Sequence, residues 1–165
     1  MDKTLSAIVG LAGVVACHAA GLPESPAPAL QHASALHAFQ DVFERAISLR
    51  DTAALVRSVA PQLTMHVRDQ SFTVPREQIW ALMQPIVTAF PDIQFRVEDV
   101  VAGQDRAAAR LTFAGTNRAP WHGLGPTGKR VHVSETFLCR LEAAQLRECW
   151  QEWDEAALRD QLSGH

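Results

Sequence analysis

Apolar residues recur at helical spacing in the first part of the chain after Leu30. They form one stripe, which predicts a helix with a single buried face: Leu36, Phe39, Phe43, Ala46 and Ile47. The pattern predicts a second, short helix over 51–59, stopped by Pro61, and then a strand over 63–67 whose polar continuation leads into a turn. A third helix is predicted over 76–89, where Pro75 suits the first turn and Pro85 should bend the helix.

The second half of the chain has the pattern of strands rather than helices. Four strands are predicted, over 93–102, 106–117, 131–141 and 146–153, and residues 154–162 are predicted to form a closing helical turn or two. Helices followed by long antiparallel strands indicate an α+β fold, with the N-terminal helices packed on one face of a curved antiparallel sheet. Such a sheet makes a cone-shaped barrel, which has an open mouth and a pocket behind it.

Residues 1–20 have the composition of a leader segment rather than of the folded domain. Lys3 precedes an apolar run over 5–16 that ends in small residues, which is typical of a secretory signal peptide and too short to span a bilayer. The tetrapeptide 14–17, Val-Val-Ala-Cys, also resembles a bacterial lipobox, which would give Cys17 a lipid anchor. Residues 21–29 would then be a flexible tether and 30–165 the domain. We therefore predict an exported protein, periplasmic or anchored as a lipoprotein. The alternatives for this segment are a misassigned start codon and a buried N-terminal helix. The alternative localisation is the cytoplasm.

Composition narrows the function classes. The 165 residues are 47% apolar with a net charge of −3, which fits one domain with a real core. The mild acidity and the lack of a Lys/Arg-rich run argue against nucleic-acid binding. The seven histidines show no metal-ligand spacing, and no glycine-rich phosphate loop opens a helix, so we expect no metal and no cofactor.

The segment 115–131 is the most informative part of the sequence. Gly123, Gly125, Pro126 and Gly128 cannot lie inside a strand, so the segment is a long loop between two strands. Trp121 lies within this polar, glycine-rich stretch. A long loop with an aromatic residue at its centre more often frames a site than merely joins two strands.

This loop resembles that of the SnoaL-like polyketide cyclases and the broader ester-cyclase group. The matching residues are Gly115, Thr116, Gly123, Pro126, Thr127, Gly128, Lys129 and Val131. The resemblance extends over residues 35–162, approximately. Shorter stretches that also match the family pattern are residues 90–92 and 97–99, taken together, and residues 150–154. It implies the cone fold of the nuclear-transport-factor-two-like superfamily. It also implies cofactor-independent acid–base chemistry, in which a proton alpha to a carbonyl of a hydrophobic small molecule is removed, leading to cyclisation or isomerisation.

Strand alternation places the candidate chemistry. Glu135, Phe137 and Cys139 share one face of their strand, and Gln151 and Trp153 share one face of the next. The resemblance implies a His and an Asp as the acid–base pair on these strands. Those positions fall on Phe137 and Gln151, neither of which can transfer a proton.

Other groups must therefore supply the acid–base chemistry. Glu135 is the predicted base, because walls of Phe137, Trp121 and Trp153 would desolvate its carboxylate and raise its pKa. The alternative is an exposed glutamate, or one that pairs with Arg110 or Arg130. His66, which matches a family histidine, is either catalytic or structural.

The remaining candidates are polar donors and pocket-lining aromatics. Asp154 is either catalytic or a helix cap, and Gln151, His66 and Asn117 are predicted hydrogen-bond donors to an enolate oxygen. Aromatic residues are predicted to line an apolar ligand pocket, although at least two should be ordinary core: Trp80, Phe90, Trp121, Phe137 and Trp153.

Three further questions stay open at the level of sequence. Cys139 and Cys149 flank a hairpin turn, and its register decides between a disulfide and two buried thiols. The outer sheet face carries Val101, Leu138 and Trp150, which predicts a homodimer through that face. The chain is either an enzyme or a non-catalytic exported protein that keeps the cone as a small-molecule pocket or as a dimer platform.

Overall fold

We describe residues 27–164 from a computed structural model of the chain. The predicted leader, Cys17 and the tether up to residue 26 lie outside the described residues. The first helix begins at Pro28, inside the predicted tether. The helical elements are α1 (Pro28–Phe39), its π-helical continuation (Gln40–Ser48), α2 (Ala53–Ser58), a short 3-10 turn (Arg76–Gln78), α3 (Ile79–Ala89) and α4 (Glu155–Ser163).

The strands form one sheet. They are β1 (Val59–Val67), β2 (Gln70–Pro75), β3 (Gln94–Ala102), β4 (Arg106–Thr116), β5 (Arg130–Glu142) and β6 (Gln145–Trp153). Their order is β2-β1-β6-β5-β4-β3, with β1 and β6 parallel and the other neighbours antiparallel. The predicted α+β class and cone fold are confirmed. The sheet is curved as predicted, but it is mixed rather than wholly antiparallel and is not closed into a barrel.

Register shifts accompany the curvature of this sheet. The β1–β6, β3–β4 and β5–β6 ladders each contain one, and an extra residue on one strand bends it and increases its twist. The predicted stripe on the first helix lies against the concave face, with Phe39, Phe43, Ala46 and Ile47 all buried. The hydrophobic core therefore lies between the helices and the inner face of the sheet, and the remaining space on that face is available for a site.

Strand β2 was not predicted. The sequence pattern predicts 68–71 only as a polar continuation of the first strand that leads into a turn. Instead, residues 70–75 form a strand that pairs with β1 through a two-residue connection, Arg68–Asp69, which contains no glycine. Pro61 lies within β1, beyond the end of α2 at Ser58. A proline is tolerated there because the ladder to β6 is interrupted between Val59 and Thr64, so no hydrogen bond of a regular ladder is lost.

Candidate functional site

A cavity of about 770 Å³ opens on the concave face of the sheet. Its walls come from the π-helical segment, α3, the β1–β2 hairpin, the inner faces of β3, β5 and β6, and the loop that follows β4. Most of the lining is apolar, including Phe43, Leu63, Met83 and Phe95. A cavity of this size and polarity fits a small hydrophobic ligand.

Glu135 is the buried acid of this cavity. Alternation along β5 turns it inward, and the residue is only 4% exposed. Gln151 Nε2 donates a hydrogen bond to Glu135 Oε2 at 3.1 Å. Burial raises the pKa of Glu135 from 4.5 to about 7, while the Gln151 hydrogen bond acts in the opposite direction. A carboxyl with this pKa can take up or release a proton near neutral pH.

Aromatic side chains surround this acid as the sequence predicted. Trp121, Phe137 and Trp153 line the same cavity as Glu135 and Gln151. In the β5–β6 ladder, Glu135 is opposite Trp153 and Phe137 is opposite Gln151. The Phe137 ring lies 4.7 Å from that of Phe43, centre to centre. The predicted base, its amide partner and three aromatic side chains are thus brought together.

Asn117 organises the loop after β4 rather than lining the cavity. It is fully buried, its Nδ2 donates to the Ala119 carbonyl at 2.8 Å, and its Oδ1 accepts from the Thr127 amide at 2.8 Å. Within the loop, a tight turn at His122 and Gly123 joins Trp121 to Leu124 through two backbone hydrogen bonds. The prediction that Asn117 contacts ligand is therefore corrected: it holds the loop that presents Trp121.

Two more predicted site residues lie away from the cavity. His66 is on the outer face of β1, where it contacts Ser71 Oγ (2.7 Å) and Glu148 Oε1 (2.9 Å) and stacks on Trp150 with ring centres 4.6 Å apart. Because inner-facing Met65 and Val67 flank it, His66 must point outward. Asp154 Oδ1 accepts from the Ala157 amide at 2.8 Å and so caps α4. His66 therefore has the structural role, and Asp154 the helix-capping role, that the sequence offered as alternatives to catalysis.

Trp80 and Phe90 are likewise not among the cavity-lining residues. Phe90 is fully buried, with its ring 5.9 Å from Phe113 and 6.0 Å from Trp121 between ring centres. The Arg50 guanidinium lies over the Trp80 ring at 5.6 Å. Phe90 is thus an ordinary core residue, as expected for part of this set, whereas half-buried Trp80 belongs neither to the cavity lining nor to the buried core.

The cavity also has polar lining that sequence reasoning missed. Arg68, Asp69, Gln70 and His122 line it and are exposed, in contrast to the buried Glu135. We call these four exposed residues the mouth of the cavity. Three of them belong to the unpredicted β1–β2 hairpin, so recognising the β-forming residues Phe72, Thr73 and Val74 as a strand would have found them.

Cys139 and Cys149 form a disulfide. The turn between β5 and β6 has two residues, which alone would put the cysteines on opposite faces. A bulge at Arg147 shifts the register by one residue, because Leu141 pairs with Leu146 while Arg140 pairs with Glu148. The shift places Cys139 directly opposite Cys149 on the same face of the sheet. The bridge and the Phe137–Gln151 pair are neighbours on the same face of the ladder, and Cys149 lines the cavity.

Neither a metal site nor a membrane span is found in the described part of the chain. Within residues 27–164, no group of three or more His, Cys, Asp or Glu side chains is placed to hold a metal ion. No helix in the same range is long and apolar enough to cross a membrane.

Comparisons with known proteins give one family and one fold. The family model SnoaL-like polyketide cyclase matches residues 35–162. Among solved structures, AclR of Streptomyces galilaeus is similar at 24% identity and a TM-score of 0.66, covering 84% of this chain and 99% of its own. TsrD of Streptomyces laurentii is similar at 22% identity and a TM-score of 0.69, over 81% of this chain and 97% of its own.

A third structure, a SnoaL-like polyketide cyclase of Agrobacterium tumefaciens, has 24% identity and a TM-score of 0.59. The match covers 71% of this chain and 89% of that one. At these identities the structural matches establish the fold alone. No curated protein matches the chain.

Proposed function

This chain belongs to the SnoaL-like polyketide cyclase family, and on that basis we propose that it catalyses cofactor-independent acid–base chemistry on a hydrophobic small molecule. The observation that carries the proposal is Glu135: a carboxyl 4% exposed in an apolar cavity, with a pKa near 7. An enzyme that abstracts a proton alpha to a carbonyl needs such a base within reach of an enclosed substrate.

In the proposed reaction, Glu135 Oε1 or Oε2 takes a proton from the carbon alpha to the substrate carbonyl. The electron pair left behind moves onto the carbonyl oxygen and forms an enolate, which then attacks an electrophilic carbon or is reprotonated at another carbon. Gln151 Nε2 uses one N–H for Glu135, and its second N–H is available to the enolate oxygen. The other two predicted donors, His66 and Asn117, lie outside the cavity lining.

Isotope exchange tests the proposal without knowledge of the natural substrate. We expect the protein to accelerate exchange of the alpha protons of β-tetralone for deuterium, followed by NMR in heavy water. Glu135→Gln should reduce that rate by roughly 100-fold or more, because positioned general bases contribute about that factor. The wild-type rate should rise with pH through about 7 as Glu135 loses its proton.

Glu152→Gln is the matched control, since Glu152 is an exposed glutamate of β6 that does not line the cavity. It should leave the exchange rate unchanged. Equal rates in the wild type, in Glu135→Gln and without protein would refute the proposed base.

A non-catalytic binding protein is the second candidate. It is favoured by Phe137 and Gln151, which occupy the positions where the founding cyclases carry their acid–base pair. The isotope-exchange experiment distinguishes the binding protein from the enzyme. Binding of β-tetralone without any accelerated exchange supports a binding protein, whereas binding with exchange that Glu135→Gln abolishes supports the enzyme.

We also propose that the protein is exported. The Cys139–Cys149 disulfide supports this, because such bonds persist in oxidising compartments and are rare in the cytosol. If 14–17 is a lipobox, the wild-type protein should take up labelled fatty acid and fractionate with membranes, and Cys17→Ala should lose both properties. Recovery of the full-length chain from the host cytosol with free thiols at Cys139 and Cys149 would contradict export.

A homodimer through the outer sheet face is proposed next. The ladders align one continuous row across the sheet, from Val101 through Ala108, Leu138 and Trp150 to His66. Val101 is 64% and Leu138 42% exposed. Light scattering should therefore give a dimer mass, and Trp150→Glu or Leu138→Glu should give a folded monomer. A monomeric wild type at micromolar concentration would rule this contact out.

A further inference from the structure

Arg68 places a cation at the mouth of the cavity. It begins the two-residue connection between β1 and β2, and it lines the cavity together with Trp153. Its guanidinium carbon lies 5.8 Å from the centre of the Trp153 ring. Its side chain is 51% exposed, so the charge stands between the apolar interior and the solvent.

The backbone at Arg68 is unusual for an arginine. Its φ is 55°, in the left-handed region that glycine adopts at least cost. A non-glycine residue pays conformational energy there, and such residues concentrate at ligand sites. Glycine would suit this turn better, so the arginine side chain is present against the local preference.

Arg68 belongs to a cluster of two arginines, two carboxylates and a histidine beside the mouth. Its Nη2 donates to Glu155 Oε2. The other oxygen, Oε1, accepts from Arg159 Nε at 3.3 Å and lies 3.8 Å from His122 Nδ1. Two arginines therefore share one carboxylate with a histidine beside it, and Asp69 is the further acid at the mouth.

Arg68 also keeps most of its hydrogen-bonding capacity. A guanidinium has five N–H donors, and within residues 27–164 the hydrogen bond found for that of Arg68 is the one to Glu155. Arg68 lines the cavity, whereas Arg159 does not. The open donors of Arg68 are thus the ones that a bound molecule would meet.

From this arrangement we infer that the ligand of the cavity is an amphipathic carboxylic acid, whose carboxylate binds Arg68 at the mouth while its apolar body fills the interior. The planar guanidinium matches a carboxylate through two parallel hydrogen bonds. The Trp153 ring attracts the guanidinium and helps to hold it at the mouth. The inference rests on the proposed ligand cavity and specifies the class of molecule that the cavity takes.

Two probes of equal shape test the inference: anthracenecarboxylate and the corresponding carboxamide, titrated against the full chain by calorimetry. The wild type should bind the carboxylate about tenfold more tightly than the carboxamide, as expected for a charge-assisted hydrogen bond. Arg68→Gln should abolish that preference and leave the carboxamide affinity unchanged. Glu155→Gln, which removes the competing carboxylate, should increase the preference.

Arg159→Gln is the matched control, because Arg159 shares Glu155 but does not line the cavity; it should preserve the carboxylate preference. Equal binding of the two probes to the wild type would overturn the inference while leaving the ligand cavity in place. An unchanged preference in Arg68→Gln would overturn it as well. Failure of both probes to bind would refute the cavity as a ligand site, and the inference with it.

Discussion

Glu135→Gln is expected to stabilise the protein at alkaline pH and to leave its stability almost unchanged near pH 4.5. The pKa of Glu135 is about 7 in the folded protein and 4.5 as its ordinary value. The folded protein therefore holds this proton more tightly than the unfolded chain. Its contribution to the free energy of unfolding is complete below pH 4.5 and is lost as pH rises through about 7.

The difference between the two pKa values corresponds to about 3 kcal/mol in the free energy of unfolding. Glutamine has nearly the same shape, carries no charge, and can still accept the hydrogen bond from Gln151. At pH 8 the variant should thus exceed the wild type by up to about 3 kcal/mol, measured by denaturant unfolding at a series of pH values.

Glu152→Gln provides the comparison, because Glu152 is exposed and its substitution should not change the pH profile. Parallel stability profiles for the wild type and Glu135→Gln between pH 4.5 and 8 would show that the carboxyl is not held neutral by burial. The proposed acid–base role would then lose its physical basis. A gain at alkaline pH accompanied by loss of isotope exchange would instead show a site that sacrifices stability for activity.

Alternation of inward and outward residues was enough to place Glu135. The β5 strand is long and buried on one face only, so its period of two assigns every side chain to a face. The same reasoning applied to β6 brought Gln151 and Trp153 to the cavity. Neighbouring long strands in one curved sheet therefore made the centre of the site predictable.

Sequence reasoning failed where position depends on contacts between distant segments. The strand β2 exists because it pairs with β1, and its turn uses Arg68 at a positive φ instead of the glycine that would have announced a hairpin. The mouth was missed for that reason. For Cys139 and Cys149, the bulge at Arg147 set the register, and no local pattern in the sequence marks it.

Asn117 was misassigned for a different reason. A polar residue at the end of a strand beside an aromatic loop is typical both of ligand contacts and of loop anchors, and only its burial separates the two roles. Gly115, near the end of β4 just before this loop, did carry a readable constraint. A Cβ there would lie 3.0 Å from Phe90 Cβ, closer than side-chain atoms normally approach, which explains the glycine in physical terms.

Asn117→Ala is expected to destabilise the protein by about 3 kcal/mol, because it leaves two loop groups without their partners. The Ala119 carbonyl loses the hydrogen bond from Asn117 Nδ2, and the Thr127 amide loses its acceptor, Oδ1. The site is fully buried, so water cannot replace these contacts without opening the loop. Thermal and denaturant unfolding measure the effect.

The same variant should weaken binding of both anthracene probes, since the loop that Asn117 holds presents Trp121 and His122 to the cavity. Thr127→Val is the matched control. It removes the hydroxyl, which donates to Asn117 Oδ1 at 3.2 Å and accepts from the exposed Lys129 amide at 3.3 Å, and it keeps the Thr127 backbone amide that donates to Asn117 Oδ1. It should cost less than about 1 kcal/mol. Equal losses in the two variants would mean that the hydroxyl, rather than the paired backbone groups, fixes the loop. Unchanged probe binding in a destabilised Asn117→Ala would show that the cavity keeps its shape without the anchor, and that Trp121 is held by its packing on Phe90.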